Sequence, residues 1–94
     1  MESIDLEAIK TETRKFVVQN FLFGQDNGLT ESASFLDQGI IDSTGVLELV
    51  AHLESRYGLK VHDAELTPDN LDSIAAVAEF VRVKKIGGVG PGAG

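Results

Sequence analysis

No cysteine occurs in the 94 residues. That excludes a disulfide framework, a thiolate metal site and a cysteine nucleophile. Histidine is almost as scarce. His52 and His62 stand apart in the chain, and neither belongs to an HExxH-type pattern. A surface or partly packed histidine is the better reading of each. Long apolar runs are also missing. None approaches the roughly 20 residues that a membrane helix needs. The acidic start, Met1-Glu-Ser-Ile-Asp5, lacks the basic and apolar regions of a secretory signal. It suits a free-standing protein, expected in the cytoplasm. No stretch alternates apolar and polar residues well enough to read as a strand.

Positive charge is missing where it would matter most. From Phe16 through Ser55 there is no Lys or Arg, while Asp26, Glu31, Asp37, Asp42, Glu48 and Glu54 fall in the same stretch. Val61 to Val81 is equally free of bases and adds Asp63, Glu65, Asp69, Asp72 and Glu79. The net charge is −7. Nucleic acid is excluded as a partner, because binding it relies on bases neutralising phosphates. The acidic middle either is a solvated face or steers basic proteins toward it.

What is present is helical periodicity. The first helix is expected from Ile4 to Phe21, with Leu6, Ile9, Phe16, Val17 and Phe21 on one face and Ser3 as its cap. Gly24 is its natural stop. A long connection then runs to Asp42, with one helical turn expected near Thr30 to Ser34. Phe35-Leu36 and Ile40-Ile41 are expected to anchor it by burial. A second helix is expected from Ser43 to Tyr57, carrying Val46, Leu49, Val50, Leu53 and Tyr57 inward and closed by Gly58. Thr67-Pro68-Asp69 reads as a cap, first residue and first turn of a short helix. A last helix starts near Asp72-Ser73, buries Leu71, Ile74, Val77, Ala78 and Val81, and fades by Lys85. The expected architecture is all-α: a four-helix bundle of three longer helices and one short, with a long loop between the first two. One domain spans 1–85, and the Gly-rich 86–94 is expected to be disordered. A domain this small buries only about 60–65% of its unfolded surface, so it has little room for an enclosed active site.

Gly39-Ile-Ile-Asp-Ser-Thr-Gly-Val-Leu-Glu-Leu-Val50 sets the main question. Ser43 precedes an apolar helix, and such a serine is usually an N-cap. A serine hydrolase is disfavoured. The G-x-S-x-G elbow is absent, and His52 would lie more than two turns along the same helix. That leaves Ser43 as a cap or as a point of attachment.

Here the chain resembles the acyl and peptidyl carrier proteins. The resemblance rests on Phe35-Leu36-Asp37-Gln38-Gly39-Ile40-Ile41-Asp42-Ser43, Val46-Leu47-Glu48-Leu49-Val50, Leu53-Glu54 and Tyr57. Val61-His-Asp-Ala-Glu65 and Leu71-Asp-Ser-Ile-Ala75 look like the family's third and fourth helices. The resemblance implies a 4′-phosphopantetheine arm on Ser43, taken from coenzyme A by a phosphopantetheinyl transferase. It implies a carrier and not an enzyme, with no catalytic residue and no metal. The imported thiol would hold cargo as a thioester, which agrees with the missing cysteine. Asp42 would help present the serine or meet a partner. Leu47, Glu48 and Glu54 match positions that dock basic patches on ligases and synthases; an ordinary solvated face is the other reading of the two acids. The carrier is expected to be monomeric. Its cargo is expected to be an acyl group in fatty-acid, polyketide or specialised lipid synthesis. The alternatives are an aminoacyl group loaded by an adenylating ligase, or a helical interaction module with no arm. Val46, Val50, Leu53, Val77 and Ala78 are either cargo lining or plain core.

Two residues depart from the pattern. Many relatives carry Leu and then an acid after the serine; this chain has Thr44 and Gly45. Gly45 either lets a partner's backbone approach the phosphate or marks a relaxed position. The later Leu-Thr-Pro-Asp-Asn-Leu-Asp-Ser-Ile run looks like specialised or peptidyl-type carriers.

Overall fold

The computed structural model describes residues 5–26 and 28–87. Among them are four α-helices and no strand: α1 (Leu6–Phe21), α2 (Gly45–Tyr57), α3 (Pro68–Leu71) and α4 (Ile74–Gly87). A single 3-10 turn, Asp63–Glu65, lies between α2 and α3. No described helix is long and apolar enough to cross a membrane.

α1 starts at Leu6; the expected start, Ile4, lies outside the described residues. The Glu7 N–H donates to Asp5 Oδ1 at 3.0 Å, and the Ile9 N–H donates to the Asp5 carbonyl at 3.0 Å. Asp5 is therefore the cap; the expected cap, Ser3, lies outside the described residues. Ile9, Thr13 and Val17, four apart, make the buried stripe. At its far end the N–H groups of Leu22 and Gly24 both return to the Val18 carbonyl, at 3.2 and 2.8 Å. The first left-handed residue there is Phe23, at φ 56, with its ring 93% exposed. Gly24 follows at φ 84.

Among its described residues the connection to α2 contains no helix, and the expected helical turn at Thr30 is only a turn closed by Ala33 N–H on the Thr30 carbonyl. It is fastened to α1 by side chains. Arg14 donates to the Leu29 carbonyl at 2.6 Å and to Asp26 at 3.0 Å, and Lys10 pairs with Glu31 at 3.0 Å. Phe35 and Ile41 are buried as expected. Leu36 is not: it is 46% exposed, and its N–H donates to Asp72 Oδ1. Ile40 is half-buried.

α2 buries Gly45, Leu49 and Leu53 along one line. Gly58, at φ 66, ends it by returning its N–H to the Glu54 carbonyl. Val61-His-Asp-Ala-Glu65 does not form the third helix expected of it. Pro68 has no N–H and disfavours a helical residue before it. Thr67 is accordingly extended, at φ −127 and ψ 155, so a helix cannot run through from His62. α3 begins only at Pro68, and Thr67 makes no side-chain cap.

α4 is capped by Ser73, whose Oγ accepts the Ala76 N–H at 3.0 Å. Ile74, Val77, Ala78 and Val81 are fully buried. α4 packs mainly on α1 and α3 and more lightly on α2. It continues through Ile86 to Gly87, so the first two residues of the expected disordered tail are helical. Residues 88–94 lie outside the described residues.

Candidate functional site at the head of the second helix

The regular turns of α2 begin at Gly45, but the capping lies one turn earlier. Gly45 N–H donates to Asp42 Oδ1 at 2.7 Å, and Val46 N–H donates to the Asp42 carbonyl at 3.0 Å. Asp42 thus performs the capping that the sequence assigned to Ser43. Side-chain caps of this kind stabilise by about 1 kcal/mol. Ser43 sits inside the overhanging turn. It is exposed, and among the described residues no hydrogen bond engages its hydroxyl, its N–H or the N–H of Thr44. A free hydroxyl beside two free amides at the positive end of a helix suits a phosphate ester.

Gly45 has a different role from either expected one. It is buried, and a Cβ there would lie 2.9 Å from Phe21 Cε1 and 3.0 Å from Ile41 Cγ2. The glycine admits the Phe21 ring at the end of α1. It faces the interior, not a partner.

Beside Ser43 opens a shallow, mostly apolar groove of about 220 Å³. Val46 and Leu47 of α2 form one wall, Leu66, Thr67, Pro68 and Leu71 the other, and Leu36 and Asp72 complete it. Of the five candidate lining residues only Val46 is among these. Leu53, Val77 and Ala78 are fully buried core, and Val50 is half-buried outside the groove.

The three candidate docking residues separate. Leu47 is 58% exposed at the groove's edge, and Glu48 is exposed without an ion pair among the described residues. Glu54 is half-buried and accepts the Val61 N–H at 2.9 Å. It pins the link after α2. Sequence reasoning missed Asp72 altogether. Its carboxylate accepts from Ser34 Oγ and from the Leu36 N–H at 2.9 Å, and its carbonyl accepts from the Phe35 N–H at 2.7 Å. These partners lie 38 and 36 residues away, so no local pattern could reveal them.

The histidines lie elsewhere. His52 stacks on Phe16 with ring centroids 4.1 Å apart, and burial holds it below its ordinary pKa, helped by Arg56 and opposed by Glu12. His62 is exposed before the 3-10 turn. No cluster of His, Asp or Glu among the described residues could hold a metal.

This geometry agrees with comparison to known proteins. Residues 22–81 match the family model described as a phosphopantetheine attachment site. The D-alanyl carrier proteins of Streptococcus pyogenes serotype M5 (strain Manfredo) and serotype M1 are each 30% identical over 60 residues, covering 64% of this chain and 76% of theirs. Among solved structures, a chain in the crystal structure of an FAD-dependent dehydrogenase superposes with a TM-score of 0.64 at 28% identity. That match covers 71% of this chain and 94% of the other. The implied cofactor is a covalent 4′-phosphopantetheine, and the chain is a carrier, not an enzyme. With the matched segment running from the end of α1 into α4, the chain belongs to the phosphopantetheine attachment-site family of carrier proteins.

Proposed function

We propose that Ser43 is the attachment residue, and that the protein carries its cargo as a thioester on the arm. The observation that supports this most directly is the division of labour at the head of α2. Asp42 caps the turn, which leaves the exposed Ser43 hydroxyl unbonded. In the transfer the Ser43 Oγ forms a bond to the pantetheine-side phosphorus of coenzyme A, the pyrophosphate P–O bond breaks, 3′,5′-ADP leaves, and the hydroxyl proton is released. Asp42, Leu47 and Glu48 offer the transferase an acidic rim with one apolar contact. Glu54 also supports the fold, since one of its carboxylate oxygens accepts the Val61 N–H.

Intact mass after incubation with coenzyme A and a broad-specificity transferase tests this. The wild type should gain one arm. Ser43→Ala should gain none and fold normally, because the cap belongs to Asp42. Thr44→Ala should gain one. A wild type whose mass stays constant across several transferases would refute the reading.

For the cargo we infer a small group. The groove beside Ser43 is shallow, and the core residues beneath it are closed over; a long acyl chain finds no ready shelter. The likeness to D-alanyl carrier proteins favours an aminoacyl group from an adenylating ligase over a fatty acyl or polyketide intermediate. A short acyl group is the second reading, supported by the apolar groove walls. Intact mass of the protein recovered from its own cells discriminates among these cargoes. We place the carrier in the cytoplasm as a monomer.

A further inference from the structure

The eight residues before Asp42 form a closed turn. Gln38 N–H returns to the Ser34 carbonyl at 3.0 Å, Gly39 N–H to Leu36 at 3.1 Å and Ile40 N–H to Phe35 at 2.8 Å. Asp37 N–H donates to Ser34 Oγ at 3.0 Å. Phe35 and Ile41 plug the turn into the core. Among the described residues, every hydrogen bond joining residues 34–41 to the rest of the protein ends on Asp72. Asp72 stands at the junction of α3 and α4, and it lines the same groove as Ser43. The turn leads directly into Asp42 and Ser43. Asp72 thus supplies the hydrogen bonds that tie residues 34–41 to the α3–α4 junction, alongside the packing of Phe35 and Ile41 and the Ala75 N–H that donates to the preceding Glu31 carbonyl at 2.9 Å.

We propose that Asp72 is a positioning residue for arm attachment. It touches neither the Ser43 hydroxyl nor the reacting phosphate. By clamping residues 34–41 it holds the Asp42–Ser43 turn in the shape that the transferase must grip. Without the clamp that loop must be ordered at the moment of binding, and ordering weakens association. The penalty falls on binding and not on the chemical step. This inference rests on Ser43 being the attachment residue.

The test is steady-state kinetics of arm transfer on the full chain, with coenzyme A and a broad-specificity transferase, read by intact mass. Asp72→Ala should raise the KM for the carrier about tenfold and leave kcat within about twofold. Asp72→Asn should restore most of the loss. Its Oδ1 can still accept the Leu36 N–H, and its amide can donate to Ser34 Oγ. Thermal melts confirm that each variant is folded at the assay temperature. Should Asp72→Ala fail to fold, Ser34→Ala removes one strand of the clamp and should raise KM about threefold. A folded clamp variant with wild-type KM overturns the proposal, as does an Asp72→Asn chain as impaired as Asp72→Ala. Failure of the Ser43 reading would look different: the wild type itself would take no arm.

Discussion

The two halves of α2 are built to opposite purposes. Its second half is tied down on every side. Arg56 reaches Glu12 of α1 at 3.6 Å, His52 stacks on Phe16, Glu54 holds Val61, and Lys85 of α4 donates to the Tyr57 carbonyl at 2.8 Å. Its first half makes no ion pair among the described residues, and Asp42, Glu48 and Leu47 face solvent. Beneath that open surface, however, Gly45 is buried, with no room for a side chain beside Phe21 and Ile41. Rigidity is placed under the site and at the far end, and the polar groups above are left free for a partner.

The largest way to disturb this contrast is Gly45→Ala. The added methyl must displace Phe21 or Ile41, so urea denaturation should show a loss of about 1–3 kcal/mol, with arm transfer retained while the protein is folded. An increase in stability would mean that the Phe21 ring moves freely. Next comes Asp42→Ala, which should lose about 1 kcal/mol as a cap is removed, whereas Ser43→Ala should change stability by less than about 0.5 kcal/mol. Equal losses would return the cap to Ser43.

The far half should show a pH dependence that traces to His52. His52 is depressed below its unfolded value of 6.5, first by burial. The unfolded chain then binds the proton more readily, so this contribution is intact above pH 6.5 and is lost as pH falls through the depressed folded value. His52→Phe keeps the stack on Phe16 and should flatten that part of the stability profile. Parallel wild-type and variant profiles between pH 7 and 5 would refute it. The smallest effect on stability belongs to Glu48→Lys, under about 0.5 kcal/mol. Its effect should fall on association: a slower second-order rate of arm transfer, with the difference shrinking as salt is raised.

The sequence foretold what repeats along a helix. The stripes of α2 and α4, Ile9 and Val17 of the α1 stripe but not Thr13, the Gly58 stop and the burial of Phe35 and Ile41 follow from spacing and chemistry within a few turns. It misassigned what depends on register or distance. Asp42 and Ser43 are both good caps and stand side by side, so only the actual path of the chain decides which one serves. Gly45 looked like a departure at the surface because nothing local says that the Phe21 ring lies against it. Asp72 looked like one more acid in a basic-free stretch, and its partners come from the loop before α2. Glu54 shared the outward face of the helix on paper, yet the returning chain brings Val61 to it. At the fourth helix, the Gly-rich composition hid two more helical residues.

The contact between Gly45 and Phe21 also constrains how such carriers diverge. Two positions far apart in the chain share one small volume beside Ser43. A lineage that enlarges residue 45 must first, or simultaneously, shrink residue 21, and the double change should be far milder than the sum of the two single ones. Variation at the end of the first helix is thus bound to variation at the serine's doorstep, and the two should be inherited as a pair.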